Sequence, residues 1–274
     1  MRSLSREQIA SYERDGFLFP VPVMSPDGAA AYRAKLERFR EEHPDYTTGI
    51  AGQKMHLVTT WMAEIIRHPR ILDAVESLLG PDLLCWTAAL FAKDSDGKSF
   101  VSWHQDGNYW GLNNHEVATA WLALSPSTVE SGCMRMLPGS HAWEQVSHTD
   151  TYDDDNLLSR GQVMETNIDE TKARNIIVQP GEISLHHVNV AHASAPNHSG
   201  ATRFGIAIRY ITPNVRQGVG AKDSATLVRG EDHIGNFELE DRPAQDFNPA
   251  AVALLERVIA QRKQSIYQDT PDRD

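Results

Sequence analysis

After Gly80 the spacing of apolar residues switches from helical to strand-like, and no other feature limits the fold of this chain so strongly. Seven short runs follow, at about residues 83–91, 100–104, 118–124, 133–137, 176–178, 183–187 and 204–211, each bounded by Gly, Pro, Asn or Ser. Helical patterns are confined to the two ends. Ser5 stands three residues before Gln8, a capping-box signature, and Gly16 stops the helix that it opens. Ser25-Pro26 opens a second helix to about Glu42, a helix pair is expected at about 60–79 with a fresh start at Pro69, and Asn248-Pro249 caps a last helix to about residue 265. Residues 17–23 read as an extended edge strand, because prolines there cannot donate to a ladder. Short strands between terminal helices predict a mainly β fold with flanking helices: a double-stranded β-helix, or jelly roll, with the helices on one outer face.

Nothing divides the 274 residues, since there is no proline-rich or glycine-serine linker and no fixed repeat, and 41% hydrophobic content is ample for one core. One domain over 1–274 is expected, with a helical part at about 1–80, a jelly-roll core at about 81–212, and the C-terminal helix at about 248–265. The irregular stretch at about 144–172 reads as an insertion that covers a site. A net charge of −11 argues against nucleic acid or an anionic membrane as the partner, both of which need a basic patch. Cys85 and Cys133 read as buried reduced thiols. The first residues lack the apolar stretch of a secretion signal and no run reaches the roughly 18 apolar residues of a membrane span, so a cytoplasmic protein is expected. Oligomeric state is not legible.

The chemistry concentrates at Trp103-His104-Gln105-Asp106, where an imidazole and a carboxylate at i and i+2 can grip one metal. His192, at the end of a later strand-like run, supplies a third ligand. Two imidazoles and a carboxylate on one face leave other positions open, the arrangement that non-haem Fe(II) oxygenases use for a co-substrate and dioxygen. His43-Pro44-Asp45 and His148-Thr149-Asp150 have the same form, but the first ends a helix and the second opens a polar acidic stretch; only His104 closes a strand-like run. Ser131 and Ser140, near histidines, read as turn residues and not as nucleophiles. Arg203 follows His192 by eleven residues, where it could hold a carboxylate.

These residues resemble the phytanoyl-CoA dioxygenase family of Fe(II)/2-oxoglutarate-dependent oxygenases. The likeness rests on 103–106, on Ala120-Trp121, on Gly132-Cys133 leading into Leu137-Pro138-Gly139-Ser140-His141, on His192 with Arg203, and on Asp15-Gly16-Phe17 near the start. It implies iron held by His104, Asp106 and His192, with dioxygen and 2-oxoglutarate as co-substrates and hydroxylation of a C–H bond of a small-molecule substrate, a small or medium-sized metabolite, as the outcome. It further implies that Arg203 pairs with the far carboxylate of 2-oxoglutarate, that Ser194 adds a hydroxyl to it, and that Trp121 lines the pocket. The segment at 53–56 looks like one that carries another co-substrate contact, from Lys54 or His56. In related halogenases a small residue replaces the carboxylate ligand, so Asp106 favours hydroxylation.

Asn108, Tyr109 and Trp110 follow the carboxylate and either wall a substrate or fill the barrel mouth. Arg209 keeps the facing of Arg203 at a period of two, pointing it toward an anionic substrate group unless it is solvated or salt-bridged. Of His186 and His187, adjacent on one strand, one faces in and the other out. Two rival readings remain at this stage: a cupin-type metal-dependent dioxygenase or isomerase without 2-oxoglutarate, and a catalytically silent binding domain.

Overall fold

In the computed structural model, residues 4–47, 50, 52–143 and 146–266 are described, the last three without their side chains. The chain opens with α1 (Arg6–Asp15), β1 (Phe17–Pro22), α2 (Pro26–Glu42), α3 (Thr60–Ile65) and α4 (Pro69–Leu79). It continues through β2 (Leu83–Lys93), β3 (Val101–His104), β4 (Val117–Ala123), β5 (Met134–Met136), β6 (His148–Asp150), β7 (Gln162–Met164), β8 (Arg174–Asn175) and β9 (Glu182–His187). β10 (His192–Ser194), β11 (Arg203–Ile211), β12 (Ser224–Arg229), β13 (Glu238–Leu239) and α5 (Pro249–Ile266) complete it. The capping box at the start of α1 is formed in both directions, Ser5 Oγ accepting from the Gln8 amide and the Gln8 side chain from that of Ser5.

Two sheets carry the strands. The larger runs β1-β9-β4-β11-β2-β12-β13 and the smaller β3-β10-β5-β8, while β6 and β7 form a separate hairpin. Every pair in the two sheets is antiparallel except β12 with β13. This is the jelly roll with flanking helices that the strand-like runs predict. Two boundaries differ from the expectation of a core at about 81–212. β1 joins one edge of the larger sheet and β12–β13 the other, so the barrel draws on both ends of the chain. The stretch at 176–178 is no strand; β8 precedes it, and Val178 bridges to Ser127 in isolation.

β11 shows why the two faces of the larger sheet differ. Phe204, Ile206, Ile208 and Tyr210 enter one core with α2, α3, α4 and the outward residues of β4 and β9. At about 1.5–3 kcal/mol per fully buried large apolar side chain, that layer is where stability resides. The alternate residues, Arg203, Gly205, Ala207 and Arg209, face the smaller sheet. Gly205 lies against Trp121 on β4, and a Cβ built there runs into the indole. Gly205→Ala is expected to destabilise by about 1–3 kcal/mol, the cost of overpacking, and to displace Trp121; an unchanged melting temperature would show that the ring has room to move.

The hairpin is fastened to β3. Phe100 exchanges backbone hydrogen bonds with Asp155 and Leu157, both at 2.9 Å, and Asn156 Nδ2 donates to Ser102 Oγ at 2.9 Å. Of the stretch at about 144–172, residues 144 and 145 lie outside the described residues; the rest includes this hairpin and a short 3-10 turn. No helix among the described residues is long and apolar enough to cross a membrane. Cys85 and Cys133 are both buried and unpaired, as reduced thiols.

Candidate metal centre and co-substrate site

Antiparallel pairing of β3 with β10 sets His104 directly opposite His192, with ring centroids 4.0 Å apart. Asp106 follows in a 3-10 turn, Asp106–Asn108, where the Gly107 amide donates to Val188 O at 3.0 Å and holds the turn against the segment leading to β10. Ligand atoms of His104, Asp106 and His192 all lie within 4.8 Å of one another, and all three residues are buried.

Protonation follows from the hydrogen bonds. Nδ1 of His104 faces Ser102 O at 2.9 Å and Nδ1 of His192 faces Val190 O at 3.0 Å. A carbonyl can only accept, so both Nδ1 atoms carry hydrogen, and Nε2 is the atom that each ring can offer to a cation. Burial, followed by the neighbouring His104, keeps His192 neutral by pushing its pKa well below the ordinary value. Burial opposes ionisation of Asp106, but the neighbouring His104 and His192 imidazoles and the Arg209 guanidinium outweigh burial and hold its carboxyl well below the usual range. Tyr109 donates its hydroxyl to Asp106 Oδ1 at 3.0 Å, fixing one oxygen. Two imidazoles and one oriented carboxylate are the donor set for Fe(II) with open positions. The rival motifs do not join it: His43 stacks on Phe247, and Asp150 pairs with Arg160 at 3.0 Å.

A second feature lies beside the triad. Arg203 is 1% exposed and is stacked on Trp121 and Phe91. Its Nη1 donates to Gly132 O, whereas Nε and Nη2 have no partner among the described residues. Opposite it in register on β2 is Lys93, fully buried. The Lys93 ammonium donates to Ser194 Oγ and Ala195 O, each at 2.6 Å. Burial and then the Arg203 charge pull its pKa down to about 7. Neither cation has a carboxylate within ion-pair distance among the described residues. Buried charge without a counter-ion costs several kcal/mol, a cost that an anion between the two groups would offset. Ser194 Oγ accepts from Lys93, and its own hydrogen is thereby left to donate.

The remaining expected residues divide. Trp121 and Ser194 line an inner cavity of about 70 Å³ with the triad, and so does His186, whose ring lies 5.1 Å from that of His192; His187 lies outside it. Asn108 and Trp110 line an outer chamber of about 350 Å³, and Phe91, Tyr109, Leu158 and Arg209 line both. Lys54 and His56 lie elsewhere: neither lines the inner cavity, whereas Arg203 and Lys93, also absent from its lining, contact it through Trp121 and Ser194. Lys54 Nζ bonds Glu240 and Ser224, and His56 Nε2 lies 3.2 Å from the other Glu240 oxygen, which Thr226 also reaches at 2.6 Å. These bonds tie the segment at 54–56 to the β12–β13 edge, while His56 Nδ1 is buried without a partner among the described residues. Lys93 is the residue that sequence reasoning missed. Its one signal is a lysine ending an otherwise apolar run.

The family model described as phytanoyl-CoA dioxygenase (PhyH) matches residues 12–205. The chain belongs to the phytanoyl-CoA dioxygenase family. This is the family of Fe(II)/2-oxoglutarate-dependent oxygenases that the motifs resemble. Among curated relatives, a probable alpha-ketoglutarate-dependent hypophosphite dioxygenase from Stutzerimonas stutzeri is 29% identical over 157 residues, 57% of this chain and 54% of that protein. The chain spans about half the length of the curated relatives that head the comparison. Among solved structures, the non-heme monooxygenase ThoJ in its apo form is 37% identical, with a TM-score of 0.85 over 95% of this chain and 98% of that one. CytC3 with Fe(II) and alpha-ketoglutarate, at 24% identity and a TM-score of 0.67 over 90% of this chain and 97% of that one, shares the fold.

Proposed function

We propose that this chain is an Fe(II)/2-oxoglutarate-dependent dioxygenase that hydroxylates a C–H bond of a small or medium-sized metabolite. One observation carries the reading: beside a buried triad of His104, Asp106 and His192 stand two buried cations, Arg203 and Lys93, with no anion of their own. Iron bound by the triad, together with dioxygen and 2-oxoglutarate, supplies the oxidising power for hydroxylation as 2-oxoglutarate is converted to succinate and carbon dioxide. The protein's part is position. Arg203 and Lys93 take the far carboxylate, Ser194 donates to it, and Trp121 supports the guanidinium. Tyr109 orients Asp106, whose presence keeps the third ligand position for a carboxylate.

A metal-dependent dioxygenase or isomerase without 2-oxoglutarate would have no use for the Arg203–Lys93 pair. The deciding experiment adds Fe(II) and then 2-oxoglutarate to metal-free protein without oxygen. The weak visible charge-transfer band of a chelated keto acid is the expected result. Bound iron without that band would sink the proposal in favour of a co-substrate-independent enzyme.

Lys93 gives this reading a pH dependence. A bound carboxylate favours the protonated amine, and the amine of the unliganded protein titrates at about 7. Affinity for 2-oxoglutarate is therefore highest below that pH and falls as pH rises through it. In Lys93→Met the profile flattens, and the half-saturating concentration below that pH rises about tenfold, the equivalent of ~1.4 kcal/mol. A parallel profile in wild type and variant would remove Lys93 from the site.

A further inference from the structure

Resting on the reading just given, we propose that the substrate carries an anionic group, a carboxylate or a phosphonate or phosphate, and that Arg209 receives it where the outer chamber meets the metal pocket. The outer chamber is lined by three arginines, Arg160, Arg209 and Arg262, and by no aspartate or glutamate, in a chain whose net charge is −11. Two of them are already neutralised: Arg262 by Asp223 at 2.9 Å and Arg160 by Asp150 at 3.0 Å. Arg209 differs. Among the described residues its Nη1 makes only a long hydrogen bond, 3.4 Å to Thr87 Oγ1, and its buried Nε has no partner.

The geometry also holds that guanidinium in place. Arg262 lies over Trp86 at 4.4 Å, Trp86 meets Trp110 edge-on at 5.2 Å, and Arg209 lies over Trp110 at 5.1 Å. A guanidinium held over an indole by a cation–π contact keeps its N–H groups available to hydrogen-bond an oxyanion. The two indoles offer an apolar wall for the rest of the molecule, and about 350 Å³ lies within the usual range for a small-molecule site, roughly 300–1,000 Å³. Because Arg209 lines the inner cavity as well, the carbons nearest the acidic group are the ones presented toward the triad. The same facing that puts Arg203 behind the co-substrate thus puts Arg209 in front of the substrate.

Phenylacetate, phenylphosphonate and the neutral isostere phenylacetamide are titrated calorimetrically into protein loaded anaerobically with Fe(II) and saturating 2-oxoglutarate, so that the Arg203 site is filled. At least one acid is expected to bind tenfold or more tightly than the amide, with the preference lost in Arg209→Gln and partly kept in Arg209→Lys. The tighter acid names the class of headgroup. Equal binding of acid and amide, binding of none of the three, or a preference that survives Arg209→Gln overturns the proposal. The wild-type comparison alone is decisive should a variant fold poorly. The charge-transfer band on loading tests the 2-oxoglutarate reading separately; without it, the same titrations on unloaded protein still test the chamber.

Discussion

Asp106→Ala is expected to abolish hydroxylation and to lower 2-oxoglutarate turnover by more than about 100-fold, exceeding the 10–100-fold cost of losing an outer-shell partner of a metal site. The substitution removes the one ionised ligand and leaves two imidazoles facing each other across β3 and β10. Iron retention is the second measurement, because two histidines alone hold the ion more weakly and the loss should appear as a raised iron requirement. Asp106→Asn separates charge from shape: it retains an oxygen that can accept from Tyr109 but removes the negative charge. Wild-type turnover in Asp106→Ala would overturn the ligand assignment.

Arg203→Ala carries the next largest effect, on 2-oxoglutarate affinity. Truncating one partner of a buried charge pair costs about 2–5 kcal/mol, which corresponds to a rise in half-saturating 2-oxoglutarate of roughly 30-fold or more. Saturating co-substrate should restore much of the rate, and iron binding should be unchanged, since Arg203 is not among the metal-ligand group. Arg203→Lys keeps the charge but loses the fork that can meet both carboxylate oxygens, and falls between. An unchanged half-saturation would direct attention to Lys93 as the sole anchor.

The clustering of His104, Asp106 and His192 was legible because its signal is local: a histidine and an aspartate two apart on a strand end, and a second histidine closing a later strand-like run. The jelly roll was legible for the same reason, as runs of alternating or apolar residues between turn formers. What escaped was decided at long range. Lys93 reads as the polar end of a strand until antiparallel pairing sets it opposite Arg203. Lys54 and His56 were assigned by likeness of a short segment, and the carboxylate that claims them, Glu240, lies near the other end of the chain. β12 and β13 lack a strong alternating pattern, and they owe their place to the exposed edge of β2.

The hairpin of β6 and β7 has a consequence for how such an enzyme changes over time. Its tip, Leu157 to Arg160, forms one wall of the outer chamber, supplies none of the three residues of the metal-ligand group, and is joined to β3 and the residue before it through Phe100 and Ser102. Selection acting on that tip can therefore exchange one clientele for another while the oxidative machinery is inherited intact.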